Sequence, residues 1–169
     1  MSFFVLGLPR SRTAWLANFL TYDGLFCYHE GTGGCHSIDE YKDKIAGKGD
    51  SNTGLALFDF EPHFKDSKIV VIDSTIDRSV KFAADVFNVD VKDSMKALKN
   101  RLDNIEGLHI DIKDINNRLS DIWEFIANSP MDYERANSLI NMNIQVCDPL
   151  KIDYAALNDF KGSINEYVA

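Results

Sequence analysis

The chain has 169 residues, 45% of them apolar, which suits one domain with a sizeable core. With 18 Lys and Arg against 26 Asp and Glu, the formal net charge of −8 argues against nonspecific nucleic-acid binding and leaves room for a local basic site only. No apolar run approaches a membrane span, and Met1-Ser2 leads into an apolar strand without a signal-peptide plan, so a cytoplasmic protein is expected.

Residues 3–6, FFVL, read as a buried strand that runs into Gly7. The basic turn Leu8-Pro9-Arg10-Ser11-Arg12 follows. From Thr13 the pattern turns helical, with Trp15, Leu16, Phe19 and Leu20 at three- and four-residue steps. Two arginines and two hydroxyls therefore coincide with a helix start. The free N–H groups and dipole of such a start attract anions, and a guanidinium grips phosphate or sulfate oxygens in bidentate fashion.

Tyr22-Asp23-Gly24 predicts a turn, residues 25–28 a short strand, and Gly31-Thr32-Gly33-Gly34 a flexible connection. Ser37, with Glu40 three residues on, predicts a capped helix to about Ile45. Residues 47–53 read as a polar loop, 54–58 as a helical turn, and Glu61-Pro62 as a break. KIVVI at 68–72 is the second clear buried strand. Asp73-Ser74-Thr75 leads into a helix with Ile76, Val80, Ala83, Ala84 and Phe87 on its apolar side. Helices are expected at 91–105, 115–127 and 132–141, a marginal strand at 108–112, a last strand at 143–146 and a closing helix at 154–160.

Strands separated by helices predict a single α/β domain over 1–169, a three-layer sandwich around a mostly parallel sheet. Ligands in that architecture lie beyond the carboxyl ends of the strands, so residues after Leu6, Tyr28 and Ile72 become candidates for one site. Residues 91–141 are the candidate cap over it. Cys27, Cys35 and Cys147 show no C-x-x-C spacing and read as reduced thiols. Cys27, His29, Cys35 and His36 fit no established zinc motif, and no metal is expected. His36 and His63 read as structural or surface residues.

The loop lacks the G-x-x-x-x-G-K-[ST] pattern, because Arg12 and Thr13 stand at its second Gly and its Lys. Pro9, Arg10, Ser11, Thr13, Trp15 and Leu16 instead match P-[KR]-S-G-T-[TS]-[WL]-L, so the segment resembles the 5′-phosphosulfate-binding loop of the sulfotransferase family. Arg12 replaces that family's Gly, and Ala14 its second hydroxyl. The loop is also similar to that of short phage-encoded relatives of sulfotransferases, which implies a host cytoplasm.

The resemblance implies a P-loop-like fold reduced in size, with 3′-phosphoadenosine 5′-phosphosulfate as co-substrate and a small-molecule acceptor carrying a hydroxyl or amine. Arg10 would neutralise charge on the bridging oxygen, with Ser11 and Thr13 donating beside it. His29 or Glu30 would take the acceptor's proton, or Glu30 would pair with Arg10 or Arg12. Arg12 either reaches over the ligand or points into solvent. Asp50-Ser51-Asn52-Thr53 reads as a turn or cap more readily than as a substrate contact.

After KIVVI the family places an Arg and then a Ser on the donor's 3′-phosphate. Here Asp73 and Lys81 stand near those places, with Ser74, Arg78 and Ser79 as alternatives. Asp73 would accept from a ribose hydroxyl, hold a metal, pair with Arg78 or cap the next helix. Two further readings stay open: a small nucleotide kinase or hydrolase, and a non-catalytic nucleotide- or phosphate-binding protein.

Overall fold

The computed structural model describes residues 1–140 and 142; the strand expected at 143–146, the helix at 154–160 and Cys147 lie outside the described residues. Five strands, β1 (Phe3–Gly7), β2 (Cys27–His29), β3 (Gly49–Asn52), β4 (Lys68–Asp73) and β5 (Leu108–Asp111), form one sheet in the order β2-β3-β1-β4-β5. Every pairing is parallel. The helices are α1 (Thr13–Leu20), α2 (Ile38–Ile45), α3 (Asp77–Phe87), α4 (Lys92–Leu102), α5 (Leu119–Ala127) and α6 (Tyr133–Ile140).

The alternation of β1 builds both halves of the core. Phe3 and Val5 enter one apolar cluster with α1, α5 and α6, while Phe4 and Leu6 enter the other with Tyr41, Ile45, Leu98 and Leu102. Helices thus cover both faces of the sheet, as the expected three layers require. The described part of the 91–141 segment, residues 91–140, is spread through this architecture: α4 lies on one face, β5 in the sheet, and α5 and α6 on the other face.

Residues 47–53 correct the sequence reading. Within them Gly49–Asn52 forms a buried inner strand, β3, paired with both β1 and β2. Polar residues survive there because their partners are built in. Asp50 accepts from the Gly31 N–H at 2.8 Å, the Tyr41 hydroxyl at 2.6 Å and the Asn52 amide at 3.0 Å. Burial pushes its carboxyl upward in pKa, and these donors pull it back. Asn52 Oδ1 accepts from the N–H groups of Gly54 and Leu55, which starts the 3-10 turn Leu55–Leu57. Gly49 has no alternative, since a Cβ would lie 2.1 Å from the Phe3 ring.

The helix cap at Ser37 forms as expected, its hydroxyl accepting from the Glu40 N–H at 3.1 Å while Glu40 reaches back to the His36 N–H at 2.8 Å. The expected apolar side of α3 is only partly covered: Ala83 is buried, but Phe87 is 63% exposed. At the far end of α1, buried Arg135 donates to the carbonyls of Phe19 at 2.7 Å, Asn18 at 2.8 Å and Thr21 at 3.3 Å. This cation satisfies orphan carbonyls and complements the negative end of the helix. Its guanidinium also stacks 4.3 Å from the Tyr22 ring, and burial lowers its pKa to about 10.

Asp50→Ala strands three buried donors and is expected to cost roughly 3 kcal/mol, against a smaller loss for Asp50→Asn, which keeps one acceptor oxygen. Urea denaturation of the two variants beside the parent checks this ordering.

Candidate functional site

The loop between β1 and α1 is wound tightly around one carbonyl. Leu8 O accepts from both the Ser11 N–H at 3.1 Å and the Ser11 hydroxyl at 2.6 Å. Gly7 makes room, because a Cβ there would sit 2.3 Å from Ser11 Oγ. Ser11 is fully buried and shapes the loop from inside, its hydroxyl donating to Leu8 O. From the other side, buried Ser79 on α3 donates to Pro9 O at 2.6 Å. The element after β4 thereby holds the loop after β1.

Arg10 and Arg12 both adopt left-handed backbone, at φ 71° and 66°. Arg12 forms the N-terminal boundary of α1 where the resembled motif has glycine, a residue that accepts this conformation without strain. Its guanidinium lies 4.3 Å over the Trp15 ring and donates to Asn116 Oδ1, and burial lowers its pKa. It is laid against α1 and the 115–117 turn. Arg10 is exposed, with its guanidinium 4.8 Å from the Phe82 ring. The first N–H groups of α1 have no intrahelical acceptor.

A polar group stands beside this helix start. Ser51 donates to Thr13 O at 2.8 Å, and Thr13 Oγ1 lies 3.3 Å from His29 Nε2. His29 Nε2 is 3.7 Å from Glu30 Oε1, which accepts from the Thr53 N–H at 3.0 Å and hydroxyl at 2.8 Å. The carboxylate of Glu30 thus goes to Thr53, and not to Arg10 or Arg12. Burial raises the Glu30 pKa and lowers that of His29 to about 4. The side chain of His29 is 13% exposed and that of Glu30 40%. At neutral pH this places an uncharged imidazole and a more accessible carboxylate with strengthened basicity next to the loop.

The residues after β4 divide. Asp73 Oδ2 lies 3.1 Å from His109 Nδ1 and its Oδ1 3.7 Å from Lys99 Nζ, while His109 Nε2 lies 2.9 Å from Ile105 O. Asp73 consequently belongs to a bridge between β4, β5 and α4. It neither pairs with Arg78 nor caps α3, whose N-terminal boundary residue is Ile76. Ser74 is half-buried and Arg78 is exposed. Among the described residues, no group of three or more His, Cys, Asp or Glu side chains is placed to hold a metal ion. No helix among them is long and apolar enough to cross a membrane.

Sequence reasoning weighed Ser51 only as part of a turn or substrate contact, and it missed Asn116 and His109. Their roles depend on partners 38, 104 and 36 positions away, which no local pattern signals. Strand order supplies the remaining geometry. From β1 the chain moves toward β2, and from β4 it moves the other way to β5, so connections diverge between adjacent strands at the loop. Such a switch point opens a crevice at the carboxyl ends of the strands. No family model, curated protein or solved structure matches the chain.

Two variants isolate the backbone demand at Arg12. Both Arg12→Gly and Arg12→Ala lose the Trp15 stack and the Asn116 bond, but only glycine tolerates positive φ freely. Arg12→Gly is expected to be more stable than Arg12→Ala by about 1 kcal/mol in thermal or urea unfolding.

For His29 the folded pKa lies below the unfolded one, so acidification charges the unfolded chain first. Its contribution is complete above about pH 6.5 and is lost as the pH falls to about 4, on the order of 2–3 kcal/mol. Between those pH values the urea midpoint of the parent should fall more steeply than that of His29→Gln. NMR titration of the ring should find its midpoint near pH 4.

Proposed function

We propose that the loop between β1 and α1 binds the phosphate of a nucleotide and that the chain is a sulfotransferase-like transferase. The observation that carries the reading is the meeting, at the loop after β1, of exposed Arg10, an α1 N-terminus without a side-chain cap, and the Thr13–His29–Glu30–Thr53 group. Charge, free N–H groups and a proton acceptor are what group transfer from an activated phosphate requires.

In this reading the co-substrate is 3′-phosphoadenosine 5′-phosphosulfate. The acceptor's hydroxyl or amine attacks sulfur, and the bond from sulfur to the bridging oxygen breaks. Arg10 and the N–H groups of α1 take up the charge on the departing phosphate. Glu30 takes the acceptor's proton: its Oε1 is fixed by Thr53, its raised pKa favours acceptance, and it is the more exposed of the two candidates. His29 positions Thr13 through the 3.3 Å contact.

Asp73 bears on the donor's second phosphate. Its charge faces His109 and Lys99, which reduces the repulsion expected from an aspartate at this place. The same pairing weakens the kinase reading, in which Asp73 would hold a divalent ion. Arg78, which is exposed, and Ser74, which is half-buried, are then the remaining candidates for the 3′-phosphate. Ser79 spends its proton on Pro9.

Calorimetric titration with adenosine 3′,5′-bisphosphate, ADP, ATP with magnesium, and sulfate tests the proposal. Preference for the bisphosphate is expected, weakened roughly tenfold or more by Arg10→Ala, the loss that removal of a charged hydrogen-bond donor brings. Metal-dependent ATP binding would move the assignment to phosphoryl chemistry, and stabilisation by simple anions alone to a non-catalytic binding protein.

A further inference from the structure

A second concavity lies on the β2–β3 side of the loop, at the carboxyl ends of those strands. It has a volume of about 360 Å³, within the range of small-molecule sites. Tyr41, Phe58 and Phe60 supply aromatic wall, and Thr32, His36 and His63 supply polar groups. Phe60 and Tyr41 are buried, and both pack edge-on or tilted against Phe64. Phe58 is different: it is 65% exposed and has no ring partner among the described residues. It projects from the chain just after the 3-10 turn Leu55–Leu57, whose start is fixed by the bonds of Asn52 to the Gly54 and Leu55 N–H groups. An aromatic face is thus held on a braced turn at the mouth of a polar-rimmed groove.

One wall residue of this groove is bonded to the strand end that holds Glu30. Thr32 Oγ1 lies 3.3 Å from the Asn52 amide, and the next residue, Thr53, holds Glu30. Thr32 itself follows Glu30 by two positions on the loop after β2.

We infer that this groove is the acceptor pocket and that it takes a planar heteroaromatic ring, stacked on Phe58 and hydrogen-bonded at its edges by Thr32, His36 and His63. The walls select a flat π-face, which a sugar or an aliphatic amine lacks. The polar rim selects ring nitrogens or exocyclic amino and hydroxyl groups, which a plain hydrocarbon lacks. The assignment of the occupant as acceptor rests on the transferase reading above; the binding of the ring does not.

Ligand-observed NMR and calorimetry on the full chain test it, with adenine, indole and quinoline as probes and glucose and cyclohexylamine as controls. Saturable binding of at least one heteroaromatic is expected, weakened about tenfold by Phe58→Ala, the order expected when one stacking partner is lost. Leu57→Ala, on the neighbouring exposed side chain outside this groove, should leave binding unchanged, and so should Arg10→Ala. Failure of all three rings to saturate, or binding indifferent to Phe58→Ala, overturns the inference, as does preference for glucose or cyclohexylamine. The transferase reading is scored separately by adenosine 3′,5′-bisphosphate: its loss in Arg10→Ala with retention in Phe58→Ala upholds that site whatever the rings do.

Discussion

Everything near the candidate site hangs from the insertion of β1 between β3 and β4. A strand paired on both edges and buried on both faces has no freedom to shift register, because one step would send Phe3 and Val5 into the space shaped for Phe4 and Leu6. The end of that strand is therefore a fixed point. The loop that leaves it inherits the precision, and its side chains need only small local bonds to complete their placement.

Those local bonds are of two kinds. Ser11, Gly7 and Ser79 work on the inside of the loop, setting its path through one carbonyl each at Leu8 and Pro9. Arg10 works on the outside. Arg12, despite its charge, belongs to the first kind, since its guanidinium is spent on Trp15 and Asn116. Identical residue types in one short segment thus carry different duties, and the sign of the backbone angle alone does not separate them, because both arginines are left-handed.

Much of the fold was legible because apolar strands announce themselves. FFVL and KIVVI needed no context, and Ser37 with Glu40 marked a helix start by local chemistry. The strand Gly49–Asn52 was illegible for the opposite reason: Gly, Asp, Ser and Asn are turn formers, and the partners that make their burial tolerable come from Gly31, Tyr41 and Thr13. The site was half legible. The positions of Arg10 after β1 and of His29 and Glu30 at the end of β2 followed from the α/β pattern. The inward turn of Ser11 and the diversion of Asp73 to His109 did not, since each depends on packing between elements.

Arg135 sets a schedule on the formation of the site. It closes the carbonyl end of α1 from 114 to 117 positions downstream, and Trp15 is tied to Leu139 O from 124 positions away. During synthesis the loop and α1 emerge first, yet α1 waits for most of the chain before its far end is secured. A nascent chain halted at β5 holds four strands in place around β1 but lacks this closure. These are contacts of long sequence separation, and they can form only after residues 135 and 139 have been made. The far end of α1 is thus completed by the chain's later part, not by its first twenty residues.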